Sequence, residues 1–421
     1  MYERSVLSNG LRVLSSTMPH TRSVSVGIFV GAGSRYEDDA HAGASHFLEH
    51  MLFKGTEKRP EPQMISGAIE SVGGVLNAST DREATLYYAR VARDHFTIAL
   101  DVLSDMALHP LFKPEEVERE RGVIIEEISM IYDQPDAIAD LLIDQALWPD
   151  QAMGRDVAGT KETVNALSGQ ALADYHAKQY VPGNVVVAVA GNVEHAEVVA
   201  QVAERMDDWS GGPPLDWEAV RPAPAGVRVK VGNKSTDQAH LCLAMDGVSS
   251  VADDRYAVDL MNTVLGEGMT SRLFMEVRER RGLAYEVHSS SSHYRDCGAL
   301  IIGCGVDTAK VNDAVEAILG ELEKMRAGVP EEELERAVEF AVGRLYLRME
   351  DTRAVMGWIG GQELLRGTVR TPDEVVANVR AVTLQQITDA ARKYLAPGSF
   401  KFAVVGPYRS EARFRKLLAA A

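Results

Sequence analysis

The sequence predicts an α+β protein built from two homologous domains, each a mainly antiparallel sheet packed with helices, and three observations carry that prediction. First, LSGQALADYHAKQYVPGNVVVAVAGNV, Leu167 to Val193, runs parallel to VTLQQITDAARKYLAPGSFKFAVVGPY, Val382 to Tyr408. At a constant offset of 215, Gln170, Asp174 and Lys178 match Gln385, Asp389 and Lys393, while Pro182, Gly183 and Gly191 match Pro397, Gly398 and Gly406. Second, both halves open on strand-like alternation, SVSVGIFVGAG at Ser23 to Gly33 and QAHLCLAMDGV at Gln238 to Val248. Third, the stretch SGGPPLDWEAVRPAPAG, Ser210 to Gly226, is rich in Gly and Pro, has no helical period and reads as a linker. The expected division is residues 1–210, a linker at 211–226, and residues 227–421.

Bulk composition agrees. A chain of 421 residues is too long for one core and makes two or three domains at roughly 150 residues each. With 46% hydrophobic and 25% charged residues it is globular in kind. A net charge of −17 and a pI near 5.2 argue against the basic surface that a nucleic-acid partner demands, and suit a cationic or unfolded polypeptide. The start, MYERSVLSNGLRV, has no charged-then-apolar leader, and no run of 18 apolar residues follows, so no membrane association and a cytoplasmic location are expected. Cys242, Cys297 and Cys304 lack CxxC spacing and read as three buried free thiols. GAGSRY lacks the third glycine of a dinucleotide loop, and there is no Walker A lysine.

Along the chain, the first chemistry-bearing segment is GASHFLEHMLFKGT, Gly43 to Thr56. On a helix, His46, Glu49, His50 and Phe53 fall at i, i+3, i+4 and i+7, on one face. Phe47, Leu48, Met51 and Leu52 make the rest apolar, so the segment is expected to be buried nearly all round. Unpartnered, each ionisable group there would cost about 1–3 kcal/mol, and more for a charge. Two imidazoles one turn apart can bind one Zn²⁺, and the glutamate beside them can take a proton from the water that the metal activates. The spacing is H-x-x-E-H, the reverse of H-E-x-x-H.

A third ligand is then expected. The stretch KPEEVERERGVIIEEISMIYD, Lys113 to Asp133, reads as a helix opened by Pro114 with acidic residues in its first turn. Its apolar stripe is Val117, Ile124, Ile128 and Ile131. With Ile124 at 0°, Glu127 lies at about 300° and Glu120 at about 320°, both bordering the stripe, whereas Glu126 lies at about 200°. Alone, such glutamates read as solvated flank residues. The histidine motif upstream favours Glu127 as an inward carboxylate, with Glu120 beside it. Further on, the repeat segments each read as a helix capped by Ser168 or Thr383, a Pro-Gly turn and a β-branched strand ending in glycine.

These residues resemble the pitrilysin/insulinase family of zinc metallopeptidases, most closely its half-length members such as the processing peptidase β-subunit and bacterial relatives. The likeness covers essentially the whole chain. In that family both histidines of the HFLEHMLFKGT signature bind zinc and the glutamate is the catalytic base, which implies His46, His50 and Glu49. A glutamate 77 residues after the second histidine is the third ligand, which falls on Glu127, and a supporting glutamate seven residues earlier falls on Glu120. The stretch GGVLNASTDREATLYYA, Gly73 to Ala89, reads as a strand. The resemblance implies that it is an edge to which extended substrate adds, with Gly74, Asn77 and Ala78 as substrate-binding positions.

In the second half, SRLFMEVRERRGLAY resembles the family's segment in which an arginine and a tyrosine approach the substrate carbonyl, here Arg278 and Tyr285. Read by itself, Arg278 suits equally the last turn of a helix ending at Gly282, together with Arg280 and Arg281. At the 215-residue offset, His46, Glu49 and His50 become Met261, Val264 and Leu265, so the second half keeps the helix without the donors. The resemblance implies a zinc endopeptidase that cuts peptides or unfolded polypeptides inside a closed chamber. Longer members hold four such domains in one chain; two here imply pairing, as a homodimer or with a related subunit. The alternative is a non-catalytic peptide-binding or assembly subunit. Ligation needs neutral imidazole, so activity is expected to fall in acid.

Overall fold

The computed structural model describes residues 2–419. Each half contributes one sheet. The first has six strands, β1 (Glu3–Val6), β2 (Arg12–Thr17), β3 (Ser23–Val30), β4 (Val75–Thr80), β5 (Thr85–Ala92) and β6 (Val185–Gly191), in the order β1-β2-β6-β3-β5-β4. The second has five, β7 (Arg228–Asn233), β8 (Gln238–Asp246), β9 (Ala284–His293), β10 (Gly298–Asp307) and β11 (Lys401–Gly406), in the order β7-β11-β8-β10-β9. Without β1, the two orders superpose strand for strand. Each sheet has one parallel pair at the same place, β2 with β6 and β7 with β11, and is otherwise antiparallel.

The strand sequences follow from layering. In β6, VVVAVAG is buried along its whole length because both faces of the sheet are covered, which erases alternation. One face packs on helices that include Ala44–Met51, Phe96–Leu108 and His195–Met206. On the other, Leu14, Phe29, Val186 and Ala188 meet Val355, Met356 and Ile359 of the helix Thr352–Arg366. That helix approaches closely at glycines: a Cβ on Gly360 would run into the Phe29 ring, and one on Gly27 into the Met356 sulfur. The second sheet repeats the scheme, with Ala139, Ile143 and Ala146 of the helix Pro135–Leu147 against Cys242, Ala244, Ala403 and Val405. By contrast, β4 at the edge of the first sheet keeps alternation, with Val75, Asn77 and Ser79 exposed.

The chain thus forms two compact units, residues 1–128 with 156–218 and 346–371, and residues 129–155 with 219–345 and 372–421. The expected boundaries, 1–210 and 227–421, are crossed twice, because each unit takes one helix from the other half of the chain. Local pattern cannot reveal such an exchange, since an apolar stripe does not say which sheet it will cover. No helix or strand lies between Met206 and Arg228, the span that holds the expected linker. Cys242 and Cys304 are buried free thiols, but Cys297 is only half-buried, which corrects the third of that set. No helix among the described residues is long and apolar enough to cross a membrane.

The repeat is visible down to side chains. Ser168 caps the helix Gly169–Gln179 by accepting from Ala171 N–H, and Thr383 caps Leu384–Tyr394 by accepting from Gln386 N–H. Gln170 donates to Asp174 at 2.8 Å, and Gln385 to Asp389 at 2.8 Å. One position differs in consequence: His176 in the first copy is Ala391 in the second. The His176 ring stacks on Tyr180 at 4.5 Å between centroids, and Nε2 lies 2.9 Å from the Ala107 carbonyl, so Nε2 carries the proton. Burial holds its pKa down to about 4, against which the Ala107 bond works only partly. The unfolded chain therefore binds this proton more readily, and the stability is complete above about 6.5 and lost as pH falls toward 4. Urea unfolding is expected to show roughly 1–2 kcal/mol less stability at pH 5 than at pH 7 from this group, and His176→Gln should remove that part of the slope.

Candidate functional site

The site begins at a loop. Gly43 precedes the helix Ala44–Met51 with φ 95°, and a Cβ there would strike the Ala158 carbonyl, so only glycine fits on both counts. Seven residues before the helix, Glu37 is 4% exposed, and its two oxygens accept from Gly43 N–H at 2.8 Å and Ser45 N–H at 2.6 Å. A buried carboxylate on the first amides pins the helix start and complements its dipole. Phe47, Leu48 and Met51 are fully buried beneath the sheet, but the segment is not buried all round as expected: His46, Glu49 and His50 are half-buried on the opposite side, because that face lines the site and not the core. The imidazoles meet edge to face, 4.8 Å between centroids.

The second contributor is the helix Pro114–Asp133. Glu120 and Glu127 lie on the face it turns to the histidines, while Glu126 is exposed, as the periodicity requires. Glu127 Oε2 is 3.5 Å from His50 Nε2 and 3.8 Å from His46 Nε2. Donor atoms of His46, His50 and Glu127 all lie within 4.8 Å of one another. Ligands about 2.1 Å from a tetrahedral Zn²⁺ stand about 3.4 Å apart, so this set closes on an ion with small side-chain adjustments. Glu120, 3% exposed, accepts from His50 Nδ1 at 3.1 Å, which fixes the tautomer and turns the Nε2 lone pair toward Glu127. His46 has no such support; its Nδ1 is buried without a partner.

Charge favours a cation. Burial, aided by the charge of His50, holds His46 down to about 4, so its imidazole is neutral and keeps a lone pair. For His50 burial is outweighed by the Glu120 hydrogen bond and the carboxylates Glu127, Glu120 and Glu49, and the pKa is raised. Three carboxylates therefore crowd one imidazole, an arrangement that a divalent ion would relieve. Glu49 is itself pushed up by burial, partly offset by a hydrogen bond from Thr80 and by His50, and reinforced by Glu127. A carboxylate whose pKa is raised binds a proton more readily than a free one, which suits a group that must take one up.

Thr80 ends β4, so the edge strand reaches the histidine helix through Glu49. Gly74 directly precedes β4; a Cβ there would press on Val91 and Ile69. The Ala78 N–H does not join the ladder to β5 but bonds to the Asn77 side chain at 2.8 Å, so one edge amide is covered by its neighbour. Arg278 and Tyr285 belong to the second unit, where the structure brings them together. Phe274–Arg280 winds as a π-helix, and the Arg278 guanidinium sits 4.7 Å from the Phe274 ring centre and 4.9 Å from that of Tyr285, which is 79% exposed. Arg280 and Arg281 pair with Glu276, so among the three only Arg278 is held by rings. Met261, Val264 and Leu265 are buried and apolar, and among the described residues the second unit has no comparable donor group.

Sequence reasoning missed three residues: Glu37, Lys54 and Thr80. Lys54 Nζ lies 2.7 Å from Glu120 Oε1. None of the three belongs to a local period; the acidic residue ahead of a helix was the one available signal, for Glu37.

Comparison with known proteins follows the same outline. The family model described as insulinase (peptidase family M16) matches residues 12–161, and the model described as the peptidase M16 inactive domain matches residues 166–340. An uncharacterized zinc protease of Streptomyces coelicolor is 39% identical over 98% of this chain and 91% of its own length. An uncharacterized zinc protease of Bacillus subtilis is 36% identical over 97% of this chain and 98% of its own. The crystal structure of a protease from Helicobacter pylori shares the fold with a TM-score of 0.90, covering 97% of this chain and 99% of that one at 21% identity.

Proposed function

Because the chain belongs to the insulinase family of peptidases, peptidase family M16, we propose that it is a zinc endopeptidase acting on peptides and unfolded polypeptide segments, with His46, His50 and Glu127 as the zinc ligands. The observation that carries the reading is the convergence of those three side chains, from two separate helices, with Glu49 on the same helical face as the histidines. When bound, the ion supplies Lewis acidity, polarising a peptide carbonyl and lowering the pKa of a water.

The remaining steps belong to protein groups. Glu49 takes the proton from the attacking water and passes it to the departing amine. Glu120 accepts from His50 Nδ1 and so holds the ring with Nε2 turned toward the ion. Substrate lies extended along β4, where binding reads backbone and tolerates many side chains; Asn77 must release the Ala78 N–H for that amide to meet the substrate. Arg278 and Tyr285 offer an in-plane guanidinium and a phenol to the oxygen that gains charge. In a homodimer with a closed chamber, the partner chain would contribute this pair.

Elemental analysis of the purified protein is expected to give one zinc per chain, and a chelator should abolish cleavage of a quenched peptide, with zinc restoring it. Absence of zinc would overturn the reading. Zinc without cleavage would point instead to a peptide-binding or assembly subunit, for which the inactive-domain match of residues 166–340 would be the precedent.

A further inference from the structure

Glu120 has a second partner that the proposed chemistry does not use. Its side chain is 4% exposed and divides its oxygens, Oε2 to His50 Nδ1 at 3.1 Å and Oε1 to Lys54 Nζ at 2.7 Å. Lys54 lies four residues after His50, just past the helix end, where turns close through Phe53 N–H to the His50 carbonyl and Lys54 N–H to the Met51 carbonyl. The lysine side chain is only 25% exposed, and its ammonium is close enough to Glu120 for a direct ion pair.

A buried carboxylate held by one neutral imidazole keeps an unsatisfied oxygen and has freedom to turn. With a cation on the other oxygen, its plane is set by two bonds at opposite ends, and the imidazole is set with it. We propose that Lys54 is a positioning residue for the metal centre, acting through Glu120 to hold His50 Nε2 in the direction of the ion. The proposal rests on the reading of His46, His50 and Glu127 as ligands. It also has a definite sign. A nearby cation repels a divalent ion, so if Lys54 acted by charge alone, its removal would tighten zinc binding. If it acts by orientation, removal loosens it, as loss of partners behind metal ligands does, by about 10–100-fold.

The test is chelator competition for zinc on the full chain, with urea unfolding of each variant without zinc to confirm folding. Lys54→Met is expected to weaken zinc affinity about tenfold, Lys54→Arg to restore most of it, and Lys54→Met to add little in a Glu120→Gln background, since the two act in series. Unchanged or tighter binding by Lys54→Met, or full additivity with Glu120→Gln, overturns the role of Lys54 while the ligand reading stands. Absence of zinc from the wild-type chain overturns both. Should Lys54→Met not fold, Lys54→Ala, which likewise removes both the donor and the charge, is the replacement variant and carries the same expectation.

Discussion

Glu49→Gln is expected to lower the rate of peptide hydrolysis by about 10²–10⁴-fold, the usual worth of a positioned general base, and to leave zinc content unchanged. Glutamine keeps the length of the side chain and the capacity to accept from Thr80, so the helix Ala44–Met51 and its buried face should be unaffected. What it loses is the ability to take a proton, the one property that burial and Glu127 tune by pushing Glu49 upward. Initial rates on a quenched peptide over a range of concentrations should show the loss in kcat with little change in KM, the pattern of an interaction made only in the transition state. A variant that keeps a tenth of the activity or more would place the base elsewhere. One that loses zinc as well would mean that Glu49 contributes to the ion's site.

The outcome bears on which features of this molecule local sequence encodes. The H-x-x-E-H face is legible because 3.6-residue periodicity alone puts His46, Glu49 and His50 together, and the apolar flanks demand a partner for them. The same arithmetic separates Glu127 from Glu126, and in the structure only the first approaches the imidazoles. The duplicated sheets are legible because cap, turn and strand residues recur at one offset, down to the Gln-Asp bond in each copy. What stayed hidden is non-local. Glu37 reaches back from a loop to amides of Gly43 and Ser45, Lys54 meets a carboxylate 66 residues away, and Thr80 approaches Glu49 from the end of an edge strand. Each of these is a contact between segments with no shared period, decided by how the sheet and helices stack. The exchanged helices belong to the same class, because the stripe of Pro135–Leu147 is apolar whichever sheet it covers.

The contrast between adjacent glutamates gives the second large effect. Glu127→Ala is expected to weaken zinc binding by more than about 100-fold, exceeding the range for partners one bond further out, whereas Glu126→Ala should bind as the wild type does. The Glu127 side chain is 42% exposed, so shortening it opens no cavity and costs little stability in the absence of metal. The difference should therefore appear only when zinc is present. At a free zinc concentration 100 times the wild-type Kd, linkage stabilises the wild type by about 2.7 kcal/mol, and a 100-fold weaker variant by about 0.4 kcal/mol. Urea midpoints with and without zinc would read that gap directly. Two variants on one helix, one residue apart, thus differ in a quantity that neither helix propensity nor packing alters. Equal zinc-dependent stabilisation of both would remove Glu127 from the centre and leave the paired imidazoles without their third donor.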